Sequence, residues 1–439
     1  MFCHQCAMSA PHGCGSNGQD LGTCGKDSVI ARLQDTLIYG LKGLAAYREH
    51  ARELGADTHG IDDVISETLY FTMTNVNFSF DDHIRQLMKV GSAGIQAMDL
   101  LSGAHTAALG VPTPVVVSQN RAEGHAILVS GHNLSMLKGL LEATEGRGVN
   151  VYTHSEMLPA HGYPELRKFP HLKGNVGGAW HDQSKLMEKW PGTLVVNTNC
   201  IVPLKKGNTY GERIYGYKVT GLDGIRKVVD NDFGPLIQHT LALPQVTGFT
   251  SDATLRTGHH HLGITGVIPA VVDAVKKGRI RQFFVIAGCD SPGRGGDYYR
   301  EMAQSLPGDC VILTSSCGKF RFNDIDFGTV PGTSVPRYLD LGQCNDSHGA
   351  IHLAQGLSAA LETPMAELPL AIVLSWMEQK AVIILLGLLS LGIKNIHIGP
   401  KAPQFVNDAI LDFLVKNFNL TLTGKVEEDL ERLLIAQAA

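Results

Sequence analysis

The sequence predicts an α/β protein in which an N-terminal helical bundle precedes two Rossmann-like domains with mostly parallel sheets. Three observations predict it. From Ser28 to Leu54 apolar residues recur at spacings of three and four (Ile30, Leu33, Leu37, Leu41, Leu44), which is one face of a helix. The segment Val111-Pro112-Thr113-Pro114 then breaks the helical pattern. Beyond it, short β-branched or apolar runs alternate with helical stretches, the texture of a parallel sheet built from crossover units.

In order along the chain, residues 1–26 form an N-terminal loop rich in cysteine and glycine, and 27–112 the helical bundle. The bundle holds further helices at Asp62–Thr74 and Phe80–Gly103, with Asp62 and Asp81 expected as N-caps. Residues 113–250 form a first α/β domain and 251–439 a second, divided in the polar stretch Gly248–Gly266. Strands are expected at Ala126–Val129, Val149–Tyr152, Thr193–Val196, Arg213–Val219, Gln282–Ile286, Cys310–Leu313, Arg337–Leu339, Leu370–Leu374 and Lys394–Ile398. The intervening helices include Asn133–Thr144, Val267–Lys277, Ser347–Leu361, Gln379–Leu391 and Pro403–Asn417.

Bulk composition narrows the function classes. A formal charge of -5 on 37 basic and 42 acidic residues offers no broad attraction for nucleic acid or anionic membrane, so a small partner is expected. The longest apolar run, Ala381–Leu391, falls far short of the roughly 20 residues a membrane-spanning helix needs. No basic segment precedes Met1-Phe2-Cys3, so no cleaved secretion signal is expected. Nine cysteines, an odd count in a long chain, suit reduced thiols or metal ligands, and a cytoplasmic location follows as the simplest expectation.

Two constellations carry chemistry. Cys3, Cys6, Cys14 and Cys24 place four thiols within the first 24 residues, beginning with a C-x2-C pair. Soft thiolates select iron-sulfur clusters or zinc, and the lack of a second short pair favours a cluster. The second set is scattered, but each member follows an expected strand: His132, Glu156, Cys200, Cys289, Cys317, Cys344 and Glu378. Ligands of open parallel sheets bind outside the carboxyl ends of the strands, so side chains distant in sequence can converge there. Singly, each has an ordinary explanation: a small core thiol, a loop imidazole, or an acid at a helix N-terminus. Seven ligand-type residues at seven strand ends are hard to assign to packing, and the mixture of thiol, imidazole and carboxylate suits iron able to bind a small substrate. The run Gly258-His259-His260-His261 reads as a polar loop, because three adjacent imidazoles cannot all face one ion on regular structure.

The segments Val129-Ser130-Gly131-His132, Glu156-Met157-Leu158-Pro159-Ala160-His161-Gly162, Thr198-Asn199-Cys200-Ile201 and Gly288-Cys289-Asp290 occur in that order. Cys317-Gly318-Lys319-Phe320-Arg321-Phe322-Asn323, Gly342-Gln343-Cys344-Asn345-Asp346 and Ser375-Trp376-Met377-Glu378-Gln379-Lys380 follow. With Thr74-Asn75-Val76-Asn77-Phe78, they make nearly the whole chain resemble the hybrid-cluster proteins, also called hydroxylamine reductases. The resemblance implies a hybrid iron-sulfur-oxygen cluster of [4Fe-2S-2O] type on His132, Glu156, Cys200, Cys289, Cys317, Cys344 and Glu378, with Cys289 as the persulfide. Glu378, Glu156, Lys380 and Cys289 are the implied catalytic groups, Lys380 as a proton donor beside the cluster. Only one helical bundle fits before the α/β part, as in a short form found largely in archaea and anaerobes. Seven residues separate Cys6 from Cys14 and nine separate Cys14 from Cys24; the first interval resembles family members with a [4Fe-4S] cluster, and [2Fe-2S] is the alternative.

The implied activity is reduction of hydroxylamine to ammonia and water, of nitric oxide to nitrous oxide, or both, with electrons from a protein donor. The alternative is a nitric-oxide sensor or protein S-nitrosylation protein using the same cluster. A third reading, kinship with nickel carbon monoxide dehydrogenases, shares the same cluster-on-α/β logic.

Overall fold

The computed structural model describes residues 3, 5–9, 14, 21–264, 266, 268–375, 378–403 and 406–434. Its compact units are two: one drawn from residues 1–104 and 363–434, the other from residues 105–362. The stretch 251–439, one segment in the sequence reading, thus contributes to both units.

In the first unit the helix Ser28–Glu53 begins at Asp27, whose carboxylate accepts from the Ile30 N–H at 2.8 Å. Its buried stripe includes Leu33, Leu37, Leu41, Leu44 and Tyr47, the face the periodicity predicts. The helices His59–Phe71 and Phe80–Leu109 follow. Asp62 and Asp81 prove to be first-turn residues rather than caps. Thr58 precedes the one helix, while the Ser79 hydroxyl accepts from the Asp82 N–H of the other. Asp62 instead pairs with Arg48, which holds its carboxyl below the usual range.

The apolar helix Gln379–Ser390 is buried nearly all round, as its sequence leads one to expect of a core helix. Glycines let the bundle reach its backbone. A Cβ at Gly43 would lie 2.5 Å from the Gln379 carbonyl oxygen, and one at Gly91 2.2 Å from that of Leu386. The strands Leu370–Ser375, Ile396–Gly399 and Thr421–Leu422 pair in parallel, Ile372 with Ile396 and His397 with Thr421.

The second unit contains a six-stranded parallel sheet in the spatial order Leu172–Asn175, Val149–His154, His125–Ser130, Thr193–Val196, Ile214–Tyr217, Arg226–Val228. In chain order this is 3-2-1-4-5-6, the doubly wound arrangement, with its switch point between His125–Ser130 and Thr193–Val196. Both faces are covered. Ile127, Val129, Val151 and Val195 pack on one side, and Ala126, Leu128, Tyr152, Leu194 and Val196 on the other, so the strands read as continuous apolar runs. A further parallel set joins Gln282–Gly288, Cys310–Thr314 and Tyr338–Asp340.

Five strands escape the sequence reading. Leu172–Asn175, Arg226–Val228 and Thr421–Leu422 are short or interrupted by Lys, Arg and Gly, and Val115–Ser118 pairs antiparallel with Thr254–Thr257 across the polar stretch taken as a boundary. The strand expected to reach Val219 stops at Tyr217, because Lys218 adopts a positive φ of 50°. The helix expected from Pro403 begins at Asp408, capped by the Asn407 side chain. Among the described residues, no helix is long and apolar enough to cross a membrane.

Candidate metal centres

Two strands that flank the switch point of the doubly wound sheet end in His132 and in Asn197 to Cys200. Gly131 makes the turn between strand and His132 at a φ of 132°, and a Cβ there would meet the Asn197 side chain at 1.9 Å. That close approach lets Asn197 Oδ1 accept from the backbone N–H groups of His132 and Asn133, at 2.9 and 3.2 Å. The His132 ring is oriented at its other side by Thr198, whose Oγ1 lies 2.7 Å from Nδ1, so Nε2 faces the site.

Glu156 follows the neighbouring strand on the short 3-10 segment Ser155–Gly162, entered through Ser155 at a φ of 55°. Cys344 opens another such segment after Tyr338–Asp340, with Gln343 and Asp346 forming a reciprocal cap. The ligand atoms of His132, Glu156 and Cys344 all lie within 4.8 Å of one another. His132 Nε2 is 3.7 Å from Glu156 Oε2, and the Cys344 N–H donates to the same oxygen at 2.7 Å. Gln343 ties the three loops together: its Nε2 donates to the carbonyls of His132 at 3.1 Å and Glu156 at 2.6 Å.

Cys317 belongs to the same surroundings, with its sulfur 3.1 Å from the Ser155 hydroxyl. Burial, reinforced by the Glu156 carboxylate and by Cys200, pushes the Cys317 thiol well above its usual range. Cys200 adopts a φ of 64° and its sulfur accepts from Asn199 Nδ2 at 3.3 Å. Cys289 is buried after a Gly288 turn, and its carbonyl accepts from Trp180 Nε1 at 2.7 Å. The neighbouring Asp290 is gripped by Arg321 and by His181, each at 2.9 Å.

Glu378 and Lys380 belong to the first unit. Glu378 is the residue before helix Gln379–Ser390, and residues 376 and 377 of its motif lie outside the described residues. Lys380 is only 2 % exposed, its Nζ stands 5.4 Å from the centre of the Tyr47 ring, and among the described residues it has no hydrogen-bond partner. The cysteine-rich loop belongs to the first unit too. Cys3 and Cys14 pack together against Ala31, Cys24 is half-buried and Cys6 exposed, while residues 10–13 and 15–20 lie outside the described residues.

Both sites hold buried groups whose charge a bound group of opposite sign would balance. At the first, Lys26 is fully buried and its ammonium donates to two neutral amides, Gln5 Oε1 at 2.7 Å and Gln34 Oε1 at 2.8 Å. A cluster on four thiolates is anionic and would balance it. At the second, Glu156, Cys317 and Cys344 bring an acid and two thiols together at 2 to 6 % exposure. A bound cation inverts that cost, because it deprotonates thiols and stabilises carboxylate. The residues therefore fit metal clusters.

Sequence reasoning missed three supporting residues. Gln343 and Lys319 stand within the quoted motifs with no role assigned to them, and Lys26 was not singled out. Lys319 is fully buried and donates to both Asp340 oxygens and to the Gly342 carbonyl. Burial works to lower its pKa, but Asp340 outweighs it and holds the ammonium charged. A polar residue flanked by strand-end motifs was the available signal. The ninth thiol, Cys310, opens the strand Cys310–Thr314, and burial pushes it up to about 12, so it behaves as core.

A doubly wound sheet with imidazole, carboxylate and thiol converging at its carboxyl edge defines a metal-dependent α/β protein. The Prismane/CO dehydrogenase family model matches residues 1–87 and 55–431, and the chain belongs to that family, in its hybrid-cluster branch. It is 46 % identical to a hydroxylamine reductase of Moorella thermoacetica, over 99 % of this chain and 100 % of that one. A hydroxylamine reductase of Solidesulfovibrio magneticus is 44 % identical over 92 % of this chain but only 74 % of its own length, in keeping with a short form here. Carbon monoxide dehydrogenase IV of Carboxydothermus hydrogenoformans shares the fold, with a TM-score of 0.78 at 14 % identity over 98 % of this chain and 91 % of that one.

Proposed function

We propose that this chain is an iron-sulfur oxidoreductase that reduces hydroxylamine to ammonia and water, and that the same site couples two nitric oxide molecules to nitrous oxide. The observation that carries the reading is the convergence of His132, Glu156 and Cys344 in a chain similar over its whole length to hydroxylamine reductases. Cys3, Cys6, Cys14 and Cys24 would hold a [4Fe-4S] cluster, with [2Fe-2S] as the alternative. His132, Glu156, Cys200, Cys289, Cys317, Cys344 and Glu378 would hold the hybrid [4Fe-2S-2O] cluster, Cys289 as a persulfide. Bound there, the two groups supply stored electrons and iron open to a nitrogen-oxygen ligand.

The reaction takes two electrons and two protons: the N–O bond of hydroxylamine breaks, nitrogen leaves as ammonia and oxygen as water. Lys380 serves as proton donor from Nζ. Its Nζ is buried against the Tyr47 ring and, among the described residues, has no hydrogen-bond partner to compete for the proton it would donate. Gln343, Thr198 and Ser155 fix the ligand loops so that the side chains meet without rearrangement. The electrons come from a protein donor, the substrate is small, and the setting is cytoplasmic.

Anaerobic assay with reduced viologen as donor tests the proposal. Ammonia formed from hydroxylamine over many turnovers per chain, and lost in Glu156→Ala, is the expected result. Absence of turnover with both hydroxylamine and nitric oxide, in protein that contains its iron, overturns it.

A further inference from the structure

The histidine run at 259–261 does not act as a unit. His260 is buried, and its Nδ1 accepts from the Leu262 N–H at 3.2 Å, whereas His261 begins the short helix His261–Ile264 and meets the helix His348–Leu361. His348 and His352 stand one turn apart on that helix, so both rings project from one face. The ligand nitrogens of His261, His348 and His352 all lie within 4.8 Å of one another. The rings of His261 and His352 stack at 4.6 Å, and that of His348 stands edge-on to His261 at 5.1 Å.

One further feature suits this cluster to metal binding. His348 Nδ1 lies 3.1 Å from the Asn345 carbonyl, which can only accept, so Nδ1 carries the proton and Nε2 keeps the lone pair. A carbonyl that fixes the tautomer in this way is the usual support of a metal-ligating imidazole. His348 is 1 % exposed, while His261 and His352 are half-buried, so three nitrogens are sheltered on one side and solvent reaches the other.

We propose that His261, His348 and His352 form a third metal site, separate in its ligands from both cysteine-containing sites, that takes a divalent first-row transition ion such as zinc. Three imidazoles and an open fourth position filled by water match the ligand set of an accessible zinc site. Metal–nitrogen bonds of about 2.0–2.1 Å place tetrahedral ligands about 3.4 Å apart, so modest ring rotations would close the present spacing.

The test uses the full chain with its iron loaded, dialysed against zinc and then against buffer. The expected result is one zinc retained per chain, with X-ray absorption showing only nitrogen and oxygen around it. His352→Ala and His261→Ala, both at half-buried positions, should each weaken retention at least tenfold while iron content stays unchanged. No retained zinc in the wild-type chain, sulfur among its neighbours, or retention untouched by both variants would overturn the site. Should the variants fail to fold, the wild-type absorption spectrum decides between nitrogen and sulfur ligation.

Discussion

The backbone N–H of Cys344 donates to Glu156 Oε2 at 2.7 Å, joining two ligand-type residues that lie 188 positions apart in the chain. One strand end thereby orients the side chain delivered by another, and Gln343 locks both loops from behind through the carbonyls of His132 and Glu156. Gln343→Ala should leave two buried carbonyls without donors, at a cost of about 1–3 kcal/mol each. The expected outcome is a folded protein with a lower unfolding midpoint and reduced iron content, while the thiols of the N-terminal loop retain their cluster. Iron analysis with electron paramagnetic resonance checks both parts.

Lys26, in the same unit as the N-terminal thiols, is fully buried and donates to the amide oxygens of Gln5 and Gln34. Replacing it by methionine removes the charge that favours the more reduced, more negative state of an anionic cluster. Lys26→Met should therefore lower that cluster's reduction potential while sparing the second centre. Potentiometric titration followed by spectroscopy measures the shift.

Gly91 lets the helix Phe80–Leu109 rest on the backbone of Gln379–Ser390, where a Cβ would stand 2.2 Å from the Leu386 carbonyl oxygen. Gly91→Val should force the helices apart and destabilise the first unit by about 1–3 kcal/mol or more. Gly103, where a Cβ meets nothing within 4 Å, is the control: Gly103→Ala should be neutral or slightly stabilising. Chemical denaturation compares the two.

His105 and His161 are buried, and desolvation lowers each from 6.5 to about 4. The unfolded chain therefore binds protons that the folded chain refuses, so stability is full above pH 6.5 and falls as the pH drops towards 4. Each group should remove on the order of 3 kcal/mol across that window. Unfolding midpoints recorded between pH 7 and pH 4 should decline, and less steeply in His105→Gln, which cannot charge.

Much of this architecture was legible in the sequence because parallel strands buried on both faces announce themselves as continuous apolar runs. Ala126–Val129 and Thr193–Val196 lie within the observed strands, and the residues just beyond them carry the site. Strands with little apolar content, such as Arg226–Val228, offered no such signal. Ligand types at strand ends could be named one by one, and the structure brings His132, Glu156 and Cys344 together. What supports them could not be read, since Gln343 acts through carbonyls more than 180 residues away and Lys26 through amides on either side of it. The grouping of His261 could not be read for the same reason: adjacent imidazoles do not converge, as expected, and its companions lie on a helix some 90 residues later.

The central claim is that one chain holds two iron centres on separate residue sets. Anaerobic diffraction at the iron absorption edge tests it most directly. The account predicts one anomalous peak among Cys3, Cys6, Cys14 and Cys24, and a second bounded by His132, Glu156, Cys200, Cys289, Cys317, Cys344 and Glu378, with no nickel at either. Iron at only one of these positions, or nickel at the second, would contradict it.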